Sequence, residues 1–210
     1  TPGGGALARR AARGGRPPRA SAAVECGGVR LELGEMVGRG SSGAVYEARR
    51  ADGGGEGVAF KRGWPTGAAA EALAREERAL RLLGAAGARH VVRLVASCSA
   101  AEAGGAAGLV LSPLVAPPVA EDVESLPPGS RAAEAAVDAL AEALVDIAGA
   151  GLATADVQAL IAEGDGEVTL VDFTESRPTS DPASALDAAA LANMAAELAA
   201  KVPGGLQPRL

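Results

Sequence analysis

Between residues 33 and 61 the chain reads LGEMVGRGSSGAVYEARRADGGGEGVAFK. Gly38, Gly40 and Gly43 stand in a G-x-G-x-x-G spacing between two short apolar runs, and Lys61 closes a third run, Val58-Ala59-Phe60. Without Cβ atoms, glycines let backbone N–H groups approach an anion closely, so the spacing suits a phosphate-holding loop. Alone it is unspecific, because dinucleotide-binding units and glycine-rich linkers share it. The residues on the C-terminal side of the loop narrow the choice. A dinucleotide unit needs a helix directly after the glycines and an acidic residue about 20 residues on. Here Val45-Tyr46-Glu47-Ala48 continues as a return strand and ends in the turn at 52–55. Val29-Arg30-Leu31-Glu32-Leu33 alternates and predicts the strand leading in.

Two helices and a further strand are legible downstream. Residues 68–84 place Leu73, Leu80 and Leu83 at roughly helical spacing and end on glycine. A lysine projecting into a partly buried cleft loses its charge without a carboxylate partner. Glu76 and, one residue around this helix, Glu77 are the candidates. Residues 130–148 predict an Ala-rich helix with Val137, Leu140, Leu144 and Ile147 on one stripe. Leu109-Val110-Leu111 reads as a strand.

In this order the motifs resemble the protein-kinase family: glycine loop, V-A-F-K, R-E-x-x-x-L-x-x-L at Arg75 to Leu83, hinge at Ser112-Pro113-Leu114, V-D-F at Val171 to Phe173, and D-x-x-x-L from Asp187. The resemblance implies an α+β, two-lobed protein-kinase-like fold: an antiparallel-sheet N-lobe with one main helix, and a truncated, mainly helical C-lobe. It implies ATP and Mg²⁺ as cofactors. Gly38, Gly40 and Gly43 would cover the phosphates, Val45 and Ala59 would enclose the adenine, and Lys61, paired to Glu76, would bridge the α- and β-phosphates. The Ser112 carbonyl and the Leu114 N–H would meet the adenine edge, and Asp172 would hold a metal.

The second half departs from the family pattern. Counted from Gly151, Asp156 falls on the catalytic aspartate; counted back from Asp172, the metal-binding asparagine falls on Ala159. Two residues are thus deleted from that loop, and either Asp156 keeps its place in a tighter loop or the loop is rearranged. Gln158 is a conceivable substitute ligand, and Thr174 replaces a glycine that normally follows the aspartate and phenylalanine. Only residues 175–186 separate this motif from the Asp187 helix, with no A-P-E.

Composition sets outer bounds. The formal charge of −6 speaks against a nucleic-acid-binding face, and four aromatic residues (Tyr46, Phe60, Trp64 and Phe173) are too few for a base-stacking platform. No run approaches 18 apolar residues, so no transmembrane segment is expected. Two cysteines, Cys26 and Cys98, build no disulfide framework and no C-x-x-C pair, which makes a reducing compartment without structural zinc the default. The single histidine, His90, reads as structural at a strand entrance. Residues 1–24 carry Arg9, Arg10, Arg13, Arg16 and Arg19 and no acid. That is the composition of a transit peptide, here resembling a plastid one, or of a disordered basic arm outside the fold, in which case the chain is cytoplasmic.

The expected organisation is therefore 1–24 as the basic segment, 25–114 as the N-lobe and 115–210 as the hinge linker and shortened C-lobe. Three functions stay open. The first is impaired phosphoryl transfer from Mg-ATP to a protein Ser/Thr hydroxyl, or to a small-molecule acceptor. The second is a pseudokinase that binds nucleotide and an unknown protein partner, and the third is an incomplete gene product.

Overall fold

The computed structural model describes residues 23–53, 57–115, 120–122, 127, 130–154, 157–162 and 167–180. Asp156, the helix expected from Asp187 and most of the basic segment lie outside them.

Six antiparallel strands form the main sheet: β1 (Ala23–Cys26), β2 (Val29–Arg39), β3 (Gly43–Arg50), β4 (Val58–Gly63), β5 (Arg93–Cys98) and β6 (Gly108–Ser112), in the order β1-β2-β3-β4-β6-β5. The fold thus takes in Ala23 and Val24, two residues before the expected boundary, because β1 pairs Ala23 to Glu32 and Val24 to Leu31. Alternation along β4 divides the core. Val58 and Phe60 enter one cluster with Leu31 and Val110, while Ala59 faces the other with Leu73, Leu109 and Leu111.

Helix α1 (Gly67–Ala86) covers that second face. Its N-terminus is capped by the Thr66 side chain, which accepts from the Ala69 N–H at 3.2 Å, and it ends on Gly87 in the left-handed region. Leu73, Leu80 and Leu83 are all buried, as their spacing predicts. After α1 the chain bonds to the second lobe: the Leu170 N–H donates to the His90 carbonyl at 2.7 Å, and the Val92 N–H to the Leu170 carbonyl at 3.0 Å. His90 contributes only its backbone here and a 3.3 Å contact from Nε2 to Glu142, in keeping with a structural role.

The second lobe comprises β7 (Ala120–Asp122), α2 (Arg131–Gly149), β8 (Leu152–Ala153), β9 (Gln158–Ala162), β10 (Val168–Val171) and β11 (Arg177–Pro178). β10, β9 and β7 form one small sheet, and β11 pairs with β8. On α2, Leu140 and Ile147 are buried as expected. Ala133, Ala136 and Ala143 complete the contact face, and Val137 and Leu144 are only partly covered.

One expectation is overturned. Cys26 and Cys98 form a disulfide, with Cα atoms 4.7 Å apart. They lie on β1 and β5, the two edges of the sheet, which therefore curls until its edges meet. Gly27 permits the approach: a Cβ there would stand 2.7 Å from the Ser97 carbonyl oxygen. Spacing in the chain could not reveal a pairing that depends on which strands become edges.

Candidate active site

A cleft of about 390 Å³ opens beneath the glycine loop, within the size range of small-molecule sites. Gly38, Gly40 and Gly43 all line it. They do different work. A Cβ at Gly43 would collide with the Arg62 carbonyl, so Gly43 is required for β3 to lie against β4, whereas a Cβ at Gly40 would meet nothing within 4 Å. Gly40 is the position at which a side chain would enter open space. Val45 and Ala59 line the same cleft from β3 and β4.

Lys61 sits at the centre. Its Nζ lies 2.7 Å from Glu76 Oε2 on α1 and 3.0 Å from Asp172 Oδ1. Lys61 is 6% exposed and Glu76 0%, so both charges are removed from water and each depends on the other. Burial pushes the Glu76 carboxyl above its ordinary value, against the opposing pull of Lys61. At Asp172, whose side chain is 44% exposed, burial also pushes upward. There Lys61 and Thr174 outweigh it, and the carboxyl is held below its usual range. Glu77 points elsewhere: it accepts from Arg81 Nη2 at 2.7 Å and from Ser97 Oγ at 2.8 Å. Of the two candidate carboxylates, Glu76 is the partner of Lys61.

The hinge differs from expectation. Ser112 and Leu114 do not line the cleft; Pro113 and Val115 do. Ser112 pairs with Arg93 at the end of β6, and the Leu114 N–H is taken by the Gly57 carbonyl at 3.3 Å. On β9 the alternation decides which side chains face the cleft. Gln158 and Leu160 line the cleft while Ala159 is buried at 6% exposure, so the residue beside Asp172 is Gln158 and not Ala159. Strand alternation places those side chains on opposite faces.

Other contributors had no legible signal. The Thr174 hydroxyl donates to Asp172 Oδ1 at 2.8 Å, and Arg75 Nε donates to the Thr174 carbonyl at 2.9 Å. Thr174, which in the sequence only replaces a glycine, thus orients the Asp172 carboxylate. Asp172 itself adopts φ 65°, a left-handed conformation unusual for a residue with a side chain. Phe173, fully buried in the core, anchors that turn.

The Asp172 donor set fits a magnesium ion. Its carboxylate is half-exposed in the cleft and held in the ionised form. Among the described residues no group of three or more His, Cys, Asp or Glu could hold a metal. A magnesium ion at Asp172 would need its remaining ligands from outside these side chains, such as phosphate oxygens and water. Among the described residues no helix is long and apolar enough to cross a membrane.

A curled antiparallel sheet with one main helix, joined to a second lobe across a cleft in which a strand lysine bridges a helix glutamate and an aspartate, is the protein-kinase-like fold. No protein-family model matches the sequence, and no curated protein does. Among solved structures, the chain is similar to one in the CAK complex of Chaetomium thermophilum bound to ATP-γ-S, at 25% identity with a TM-score of 0.57. The match covers 72% of this chain and 49% of that one, so this chain spans about half the length of the one it matches. The chain has the fold of the protein-kinase-like superfamily.

Proposed function

We propose that the cleft binds ATP with Mg²⁺ and serves impaired phosphoryl transfer to a protein Ser/Thr hydroxyl. The observation that carries this reading is Lys61 Nζ held between Glu76 at 2.7 Å and Asp172 at 3.0 Å beneath the glycine loop. Phosphoryl transfer of this type rests on positioning and charge stabilisation more than on covalent chemistry. Lys61 would orient the α- and β-phosphates, Glu76 would fix Lys61, and Asp172 would hold the metal, which screens the phosphate charge when bound. Asp156 would accept the hydroxyl proton of the acceptor, as the family resemblance implies. The similar CAK complex bound to ATP-γ-S supports the choice of nucleotide.

A second reading, a pseudokinase that binds nucleotide without turnover, draws on one observation. Gln158, not an asparagine, stands beside Asp172 on the cleft wall. A glutamine side chain is one methylene longer, which changes the ligand geometry available to a second metal.

Radiolabelled ATP with a general protein acceptor, applied to the whole chain and to Lys61→Ala and Asp156→Asn, separates the readings. Transfer lost in both variants is expected; transfer unchanged in Asp156→Asn removes that residue from the mechanism. Thermal stabilisation by Mg-ATP without transfer to protein or to small hydroxylated acceptors favours the pseudokinase. We further propose that residues 1–24 direct the chain to plastids, on their arginine content and lack of acids. A fluorescent protein carrying those residues should enter plastids; one that stays in the cytoplasm refutes the assignment.

A further inference from the structure

Trp64 occupies the link between β4 and α1, outside the cleft, and reaches back to the glycine loop three times. Its indole Nε1–H donates to the Gly40 carbonyl at 3.0 Å, and its backbone N–H donates to the Ser42 carbonyl at 3.1 Å. The Arg39 guanidinium lies over its ring, 5.0 Å from the centroid. Its own carbonyl accepts from the Thr66 N–H at 2.8 Å, and Thr66 caps the helix that carries Glu76. One residue therefore joins the loop over the cleft to the start of α1.

These bonds have a directional consequence. Among the described residues only the Ser112–Pro113 peptide is cis, so the peptides after Gly40 and Ser42 are trans. In a trans peptide the C=O and the following N–H point in opposite directions. With the Gly40 and Ser42 carbonyls drawn to Trp64, the N–H groups of Ser41 and Gly43 turn away from it. Trp64 lines a separate groove with Tyr46 and Arg62, while Gly40, Ser42 and Gly43 line the cleft.

We propose that Trp64 is a positioning residue that holds the glycine loop with its N–H groups turned to the phosphates of a bound nucleotide, so that phosphate affinity depends on it and nucleoside affinity does not. The inference rests on the nucleotide-binding reading above. Trp64→Phe keeps an aromatic ring, though a smaller one, under Arg39 and the backbone bond to Ser42, and removes the indole donor. Titration calorimetry on the whole chain with Mg-ATP, Mg-ADP and adenosine should give ATP and ADP affinities about fivefold weaker in Trp64→Phe, the worth of one hydrogen bond, with adenosine unchanged. Equal ATP affinity in both proteins overturns the proposal, as does an equal loss for ATP and adenosine, which would make Trp64 merely part of the lobe's packing.

A second measurement avoids the variant altogether. Trp64 is the chain's one tryptophan, so tryptophan emission reports on the surroundings of this residue and no other. Mg-ATP should change that emission in the wild-type chain and adenosine should not; no change at saturating Mg-ATP also overturns the proposal. A wild-type chain that binds adenosine but no phosphorylated nucleotide more tightly refutes this inference and leaves the cleft a nucleoside site. One that binds neither removes the nucleotide reading and the inference with it.

Discussion

The glycine-loop wall of the cleft hangs from six strands joined by backbone ladders, whereas Asp172 opposite is held by side chains reaching from α1, β4 and its own turn. Ladder hydrogen bonds spread their contribution over many residues and are indifferent to most side chains. A carboxylate held by Lys61 and Thr174, with Arg75 bracing the turn, depends on each of those residues singly. The two walls should therefore respond unequally to substitution, the first degrading gradually and the second failing at one residue.

The sharpest test is Lys61→Met, which strands Glu76 in the core without its counter-charge. Removing one partner of a buried pair costs about 3–5 kcal/mol, while replacing both partners by apolar groups is near neutral. Urea unfolding should show that loss for Lys61→Met and its recovery in Lys61→Met/Glu76→Leu. A single-variant loss below about 1 kcal/mol would mean that the pair is not what holds this wall.

Opening the disulfide tests the opposite wall. Reduction, or Cys98→Ser, should cost roughly 2–4 kcal/mol, since the bridge closes a long loop in the unfolded chain. If reduction costs more than Lys61→Met, the sheet is the weaker wall and the comparison reverses. Thr174→Val, which keeps the shape and deletes the hydroxyl, should cost about 1–2 kcal/mol by removing a hydrogen bond to a charged group. Because the bond orients Asp172, Mg-ATP affinity should fall with it. Unchanged affinity would free Thr174 of that role.

The smallest effect is a slope against pH. Glu76 titrates above its ordinary value in the folded chain, so the folded state holds its proton more tightly than the unfolded one. Stability should fall as pH rises from the ordinary 4.5 to the raised value, and Glu76→Gln should remove that fall. Asp172 acts with the opposite sign: its contribution is present above 3.8 and is lost as pH drops through that value toward its lowered one. Urea midpoints from pH 3 to 7 that run parallel in wild type and Glu76→Gln would refute the first statement.

Legibility in the sequence divides along the same line. The helices came out within two residues at each end, since 68–84 and 130–148 became Gly67–Ala86 and Arg131–Gly149. Spacing and caps encode such local elements. Lys61, Glu76 and Asp172 were legible as a set because each lies in a short motif. Contacts made by folding were not. Nothing near Trp64 signals a bond to Gly40, and nothing near Leu114 shows that Gly57 will take its N–H. The count back from Asp172 reaches Ala159, but only the alternation of β9 shows that Gln158, named as a substitute ligand, is the side chain turned to the cleft. Asp156 lies outside the described residues, so its part in the site rests on motif order.

The joined edges of the main sheet carry one more consequence, for how the protein behaves in company. A strand at a sheet edge offers a row of unpaired N–H and C=O groups on which another chain can add itself. Cys26–Cys98 ties β1 to β5, so the two edges are held close at that point. Opened, the same lobe would present two templates at once, and copies could string together strand to strand. The bridge would thus limit self-association as well as staple the fold.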